Sequence, residues 1–267
     1  MKHALIAIII ALFIAPVLPA QIALPPCPAP VCVSRPPDAT RALEVKYVRD
    51  SAEYATLCRM IYRMATDAVT KAHPASGTWG VILDVDETTL DNSQYQIERG
   101  VYGLGYDDAS WANWVQRAEA GTVPGVKDFL DAVRGLGGKV VFITDRYTEY
   151  VALDGSKMDL LKATRDNLDH NRLFVSGDLL CLKTNANDSK ASRRKSVKEG
   201  TGVCSWSGTP VQIVAFAGDQ MTDFPAAGEA FGGAGTDKEF GNSFFLLPQP
   251  MYGRWTNGVT RLSGAFR

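Results

Sequence analysis

Short, continuous apolar runs at residues 81–83, 139–143 and 211–217 alternate along the chain with longer stretches whose apolar positions recur at helical spacing. Runs of this length suit interior strands of a parallel sheet covered on both faces, and each stops abruptly on polar residues. Weaker strand signals lie at 178–182 and at 242–247, the latter closed by Pro248. Helical periodicity extends from a cap at Asp38 through Val45, Val48, Ala52, Met60 and Val69 to Ala72. Further helices are predicted for 124–136, opened by Pro124-Gly125 and ended by Gly137-Gly138, for 150–168 and for 192–199. The stretch from Tyr95 through Tyr102, Tyr106, Trp111 and Trp114 reads as irregular and aromatic. Tyr47, Tyr54 and Tyr62 sit at helical spacing, which reads as a buried face more than a pocket wall. Strands alternating with helices predict an α/β class with a parallel, doubly wound sheet.

The chemistry lies where the strands stop. Asp84, Asp86 and Thr88 follow the first apolar run, Thr144-Asp145-Arg146 the second, and Gly218-Asp219 with Asp223 the third. One Asp at a strand end reads as a turn residue. Asp84, Asp86 and Thr88 together read as a site, because ligands of open α/β sheets bind at the carboxyl ends of the strands. On that topology Asp84, Asp86, Thr144, Asp219 and Asp223 converge on one edge. Crowded carboxylates repel unless a cation neutralises them, and an all-oxygen set favours Mg²⁺. Zinc is disfavoured, since His73 and His170 are the only histidines beyond the amino-terminal segment.

Composition narrows the class. The 267 residues include 28 basic and 29 acidic ones, which gives no electrostatic footprint for a nucleic-acid polymer. The basic cluster Arg193, Arg194, Lys195 and Lys198 reads as a solvated helix face. Residues 1–20 resemble a cleavable secretory signal, with an apolar run from Ala4 to Leu18 ahead of Pro19-Ala20. An uncleaved anchor is the alternative; the run is shorter than the ~20 residues that span a bilayer and contains Pro16. Residues 21–37 form a Pro-rich tether, and the folded domain covers 38–267. A periplasmic or secreted location follows, without a stable membrane anchor. Five cysteines fit an oxidising compartment, with Cys181 paired to Cys204 and Cys27 or Cys32 paired to Cys58; buried thiols are the alternative.

Four stretches carry a family resemblance: 84–92 (DVDETTLDN) with Tyr95, 123–126 (VPGV), 218–224 (GDQMTDF) and 247–253 (LPQPMYG). The chain resembles the bacterial class C, four-aspartate acid phosphatases of the haloacid dehalogenase (HAD) superfamily over roughly residues 40–257. The resemblance implies a three-layer α/β/α core with a small, largely helical cap from 38–75 and 92–122. It implies a Mg²⁺-dependent hydrolase of phosphomonoesters, among them 5′-nucleotides, acting through an aspartyl phosphate; residues 1–20 add export, and an Asp86 that must start protonated adds an acidic optimum.

The resemblance also distributes roles. Asp84 is the expected nucleophile and Asp86 the acid and base. Mg²⁺ is expected on the carboxylates of Asp84 and Asp219 and the main-chain carbonyl of Asp86, with Asp223 ordering metal-bound water or the lysine. Thr144 and Thr88 are expected at the phosphate, and Arg146 at the substrate. Lys183, Lys190 and Lys195 are candidates for the lysine facing the phosphoryl group; Lys190 fits best because an arginine follows three residues later. Tyr95, Tyr106 and Trp111 either stack on a base or form the cap core. No cysteine lies six residues before an arginine, and neither an Arg-His-Gly stretch nor a Walker loop occurs, which excludes other phosphatase chemistries. The alternative from another class is a noncatalytic storage or binding protein on the same fold.

Overall fold

The computed structural model describes residues 42–257; the expected signal, the tether, Asp38, Cys27 and Cys32 lie outside the described residues. The elements are, in order, α1 (Leu43–Asp50), α2 (Ala52–Ala72), β1 (Trp79–Leu83), β2 (Leu90–Asp91), α3 (Ser93–Val101), α4 (Asp108–Arg117), β3 (Gly121–Thr122) and α5 (Val126–Gly135). They continue with β4 (Lys139–Tyr147), β5 (Glu149–Val151), β6 (Lys157–Asp159), α6 (Leu160–His170), β7 (Leu179–Lys183), α7 (Lys190–Glu199), β8 (Gln212–Gly218) and β9 (Phe244–Leu246).

Five strands form one parallel sheet in the order β7-β4-β1-β8-β9, so β1 is central. Period-two alternation divides its side chains between two cores. Val81, Leu83, Val140, Phe142, Ala215 and Ala217 enter one apolar cluster, and Ile82, Val141, Ile143 and Phe216 enter the other. Every residue of β1 is buried, which is why it reads as an unbroken apolar run. α2 packs against α5, β8 and β9 and contributes Tyr62, Ala65 and Val69 to the first core, while Val197 of α7 joins the second. This is the three-layer α/β/α arrangement. No helix among the described residues is long and apolar enough to cross a membrane.

Four expectations about the elements need correction. The amino-terminal helical pattern is two helices, because Ser51 is extended and its side chain accepts a hydrogen bond from Tyr54 N, capping α2. The aromatic stretch is helical: Asp107 caps α4 by accepting from Ser110 N, and Gly103 and Gly105 fall in the break between α3 and α4. The second strand runs on to Tyr147, so Thr144, Asp145 and Arg146 are strand residues. The helix expected from 150 starts at Leu160; before it β5 and β6 pair as a hairpin turning at Asp154-Gly155, with Gly155 at φ 81°.

Cys181 and Cys204 form a disulfide with their Cα atoms 5.6 Å apart. Cys58 is a buried free thiol among the described residues, and its expected partners Cys27 and Cys32 lie outside them. It packs within α2 beside Tyr54, and burial pushes its thiol pKa up to about 11.

Candidate active site

Asp84 directly follows β1, and its N–H still donates to Ala217 O at 3.0 Å, so the sheet holds its backbone. The loop after it is tied at several points. Thr89 Oγ1 donates to Asp84 O at 2.6 Å, and Tyr62 of α2 donates its hydroxyl to Thr88 O at 2.6 Å. Glu87 adopts a left-handed backbone, φ 55°, uncommon without glycine. Its carboxylate accepts from Asn92 N at 2.8 Å and from the Tyr252 hydroxyl. The 247–253 stretch is thereby pinned to the loop carrying Asp84 and Asp86, and Leu247 N also donates to Gly218 O at 2.8 Å.

Asp219 follows β8, and Asp223 closes a short 3₁₀ turn, accepting Gln220 N on Oδ2 at 2.8 Å. Gly218 makes this possible: a Cβ there would lie 2.2 Å from Asp223 Cβ. Asp84, Asp219 and Asp223 each offer an oxygen within 4.8 Å of the others. Thr88 Oγ1 donates to Asp219 Oδ1 at 3.3 Å. Burial pushes the Asp84 pKa up to about 7 against the opposing pull of Lys190, and burial with the neighbouring carboxylates of Asp84 and Asp223 raises Asp219 well above the ordinary range. Glu87 is raised by burial and by Asp86. A buried acidic cluster under this strain, built of oxygen donors alone, suits a hard divalent cation.

Of the three candidate lysines, Lys190 is the one the fold brings to the carboxylates. Its Nζ bonds Asp84 Oδ1 and, at 2.6 Å, Asp223 Oδ1. Burial opposes its charge, but the two carboxylates outweigh burial and hold its pKa raised. Lys183 instead lies over the Tyr147 ring at 5.4 Å, and Lys195 is largely exposed beside Glu199.

The basic cluster is a solvated face only in part: Lys195 is exposed, but its two arginines are not. Arg193 and Arg194 are each 3 % exposed. Arg193 donates to Thr144 O and Cys181 O and pairs with Asp145 and Asp188. Arg194 donates to Thr222 O and Asp223 O and pairs with Glu229. α7 thus delivers Lys190 to the cluster while its two arginines clamp the strand bearing Thr144 and the turn bearing Asp223. A charge run within one helix carries little mark of this burial, because apart from Asp188 the partners named are remote in sequence.

The Asp86 side chain is not among the three clustered carboxylates and is held by other partners. It accepts Arg146 Nη2 at 2.7 Å and Asn92 Nδ2 at 2.9 Å, with Thr144 Oγ1 at 3.3 Å. Arg146, expected at the substrate, is directed inward: its donors go to Asp86, Asn92 and Thr164, and its side chain is 1 % exposed. Tyr95 is buried, shares a hydrogen bond with Ser110 and packs against Trp111 and Trp114. Trp111 is partly buried, with the Arg146 guanidinium 5.5 Å above its ring, while Tyr106 is 65 % exposed and donates its hydroxyl to Asp108. Glu87, Asn92, Trp114, Arg193 and Arg194 were given no role in the site by sequence reasoning; Glu87 and Asn92 lay in the 84–92 stretch, Trp114 in the aromatic stretch, and Arg193 three residues after Lys190, the available signals.

A central parallel strand followed by a buried aspartate, a second acid two residues on, and a facing lysine with two further aspartates just beyond β8 define a haloacid dehalogenase-type α/β protein. The family model of the HAD superfamily, subfamily IIIB (acid phosphatase) matches residues 35–255, and the chain belongs to that family. The class C acid phosphatase from Bacillus anthracis superposes with a TM-score of 0.63 at 26 % identity, covering 79 % of this chain and 84 % of that one, and a tungstate-bound crystal structure of it matches equally. The stem 31 kDa glycoprotein of Glycine max is 26 % identical over 173 residues, 64 % of this chain. Acid phosphatase 1 of Solanum lycopersicum is 27 % identical over 172 residues, also 64 % of this chain. The chain spans 58 % and 57 % of the length of these two relatives.

Proposed function

We propose that this protein is an exported, Mg²⁺-dependent acid phosphatase that hydrolyses phosphomonoesters through a phosphoryl group carried on Asp84. The observation that carries the reading is the buried Asp84 carboxylate at the end of β1, bonded to Lys190 and clustered with Asp219 and Asp223. The tungstate-bound state of the Bacillus anthracis relative supports it, since tungstate is a tetrahedral oxyanion like phosphate.

In the first step an Asp84 oxygen attacks phosphorus, the P–O ester bond breaks, and Asp86 gives its proton to the departing alkoxide. In the second, Asp86 takes a proton from water as the water oxygen attacks phosphorus, releasing Asp84 and inorganic phosphate. Lys190, balanced between Asp84 and Asp223, offsets charge on the transferring group, and Thr88 and Thr144 offer hydroxyls along the same edge. A divalent cation, Mg²⁺ on the chemistry of the donors, would be held by Asp84, Asp219 and Asp223 with the Asp86 carbonyl, and would screen the phosphate's charge from the nucleophile. Residues 92–122, carrying Trp111 and Tyr106, form the cap, whose aromatic pair suits the base of a 5′-nucleotide. Export rests on the signal-like residues 1–20.

The test is turnover of p-nitrophenyl phosphate by the mature protein with and without chelator. Activity that is lost on chelation and restored by Mg²⁺ is the expected result. Binding of tungstate without turnover would leave a noncatalytic phosphate-binding protein.

The carboxylate strain predicts a second result. In the metal-free protein Asp84 holds its proton up to about pH 7, well above its ordinary value. The stability tied to that proton is present at low pH and lost as pH rises through about 7, whereas a cation needs the carboxylates deprotonated. The rise in melting temperature on adding Mg²⁺ is therefore expected to be larger at about pH 8 than at about pH 5. A larger rise at the acidic pH would contradict cation binding at this cluster.

A further inference from the structure

We infer that Asn92 is a positioning residue for Asp86: it binds one oxygen of that carboxylate, Oδ1, so that the other, Oδ2, exchanges the proton with substrate. The inference deepens the proposed function and rests on its reading of Asp86 as acid and base.

Three donors converge on Oδ1: Asn92 Nδ2 at 2.9 Å, Arg146 Nη2 at 2.7 Å and Arg146 Nε at 3.0 Å. An amide NH₂ and a guanidinium can only donate, so Oδ1 can only accept, and a proton on this carboxyl sits on Oδ2. Oδ2 has longer contacts, to Arg146 Nε at 3.2 Å and to Thr144 Oγ1 at 3.3 Å, and a hydroxyl accepts as readily as it donates. The two oxygens of Asp86 are therefore chemically distinct before any substrate binds.

The orientation of the Asn92 amide follows from its neighbours. Its Oδ1 receives Trp114 Nε1 at 2.7 Å and Arg146 Nη2 at 3.3 Å, both groups without an acceptor. Nδ2 is then the end turned to Asp86 and to Glu87 Oε2, 3.3 Å away. Asn92 is fully buried and its N–H is held by Glu87 Oε1 at 2.8 Å, so neither a flip nor water competes with this arrangement. The contacts run from Trp114 on α4 through Asn92 to Asp86, linking the orientation of the acid to the helix beside the aromatic pair.

The experiment compares kcat/KM on p-nitrophenyl phosphate, whose leaving group needs little protonation, with that on glycerol phosphate, whose alkoxide needs a full proton. Asn92→Asp puts an acceptor where the donor stood, and Trp114→Phe keeps an aromatic ring but deletes the Nε1 donor. Asn92→Asp is expected to lose about 100-fold on glycerol phosphate and less than about 10-fold on the nitrophenyl ester. Trp114→Phe is expected to show a smaller loss in the same order, and Asp86→Asn the largest difference between the esters. Melting temperatures report whether each variant folds, and if Asn92→Asp does not, Trp114→Phe decides alone. Asp86→Asn discriminating between the esters while the other two variants slow both equally would overturn the inference and leave the role of Asp86 intact. Equal slowing of both esters by Asp86→Asn would overturn the acid–base reading itself, and this inference with it.

Discussion

Asp84→Asn is expected to lower kcat on p-nitrophenyl phosphate by on the order of 10⁵-fold while leaving the fold and tungstate binding in place. An amide has nearly the size of a carboxylate, and its oxygen can still accept from Lys190, which also keeps its bond to Asp223. Packing around the site therefore changes little. What disappears is the anionic oxygen that attacks phosphorus, and the neighbouring carboxylates are held elsewhere: Asp86 by Arg146 and Asn92, Asp223 by Lys190 and Gln220 N, and Asp219 by Thr88. Steady-state kinetics with a melting curve on the same preparation checks this. Turnover within about tenfold of the unmodified protein would remove Asp84 as the nucleophile, since loss of a covalent nucleophile costs far more than that.

Lys190→Met is expected to act on both activity and stability. Without the ammonium group the transferring phosphoryl loses a charge partner, and kcat falls by about 10²- to 10³-fold, the range for removing one preorganised electrostatic contact. The metal-free protein is also left with Asp84 and Asp223 buried and unpaired. Breaking a buried ion pair from one side costs about 3–5 kcal/mol, which for a domain of this size lowers the melting temperature by about 6–20 °C. Protonation relieves part of the loss, so the drop is expected to be smaller at acidic pH, and Mg²⁺ is expected to recover much of it at neutral pH. Differential scanning calorimetry with and without Mg²⁺ at two pH values measures each part. An unchanged melting temperature together with unchanged kcat would mean that Lys190 does not face the reacting group.

Arg193 and Arg194 explain why Lys190 stands where it does, and also why the helix bearing it was misread. A run of cations on a ten-residue helix with few apolar positions looks solvated. The acceptors that bury it are Thr144 O and Cys181 O on one side and Thr222 O and Asp223 O on the other. None lies within a few residues of α7, so no local pattern announces them. The hairpin of β5 and β6 was missed for a different reason: the helix expected from 150 is real but starts at Leu160, and the Asp154-Gly155 turn signal ahead of it is the local feature that separates strand from helix. The break at Ser51 was legible in principle, since a serine three residues before Tyr54 is a capping position, but the apolar period runs through it unbroken.

The chain by itself determined the central strands and the acids at their ends. Burial on both faces leaves an unbroken apolar run at β1, and a parallel sheet puts every strand's carboxyl end on one edge, so Asp84, Thr144 and Asp219 were bound to share it. Only the tertiary structure decided which cation faces those acids and how each acid is held. Lys190 and Asp84 are 106 residues apart, and Arg146 and Asp86 are 60 apart. Apolar burial writes itself into a sequence as a period, because every buried position needs the same kind of side chain. A buried ion pair leaves no period; it needs one partner at one place, and folding alone brings that partner there.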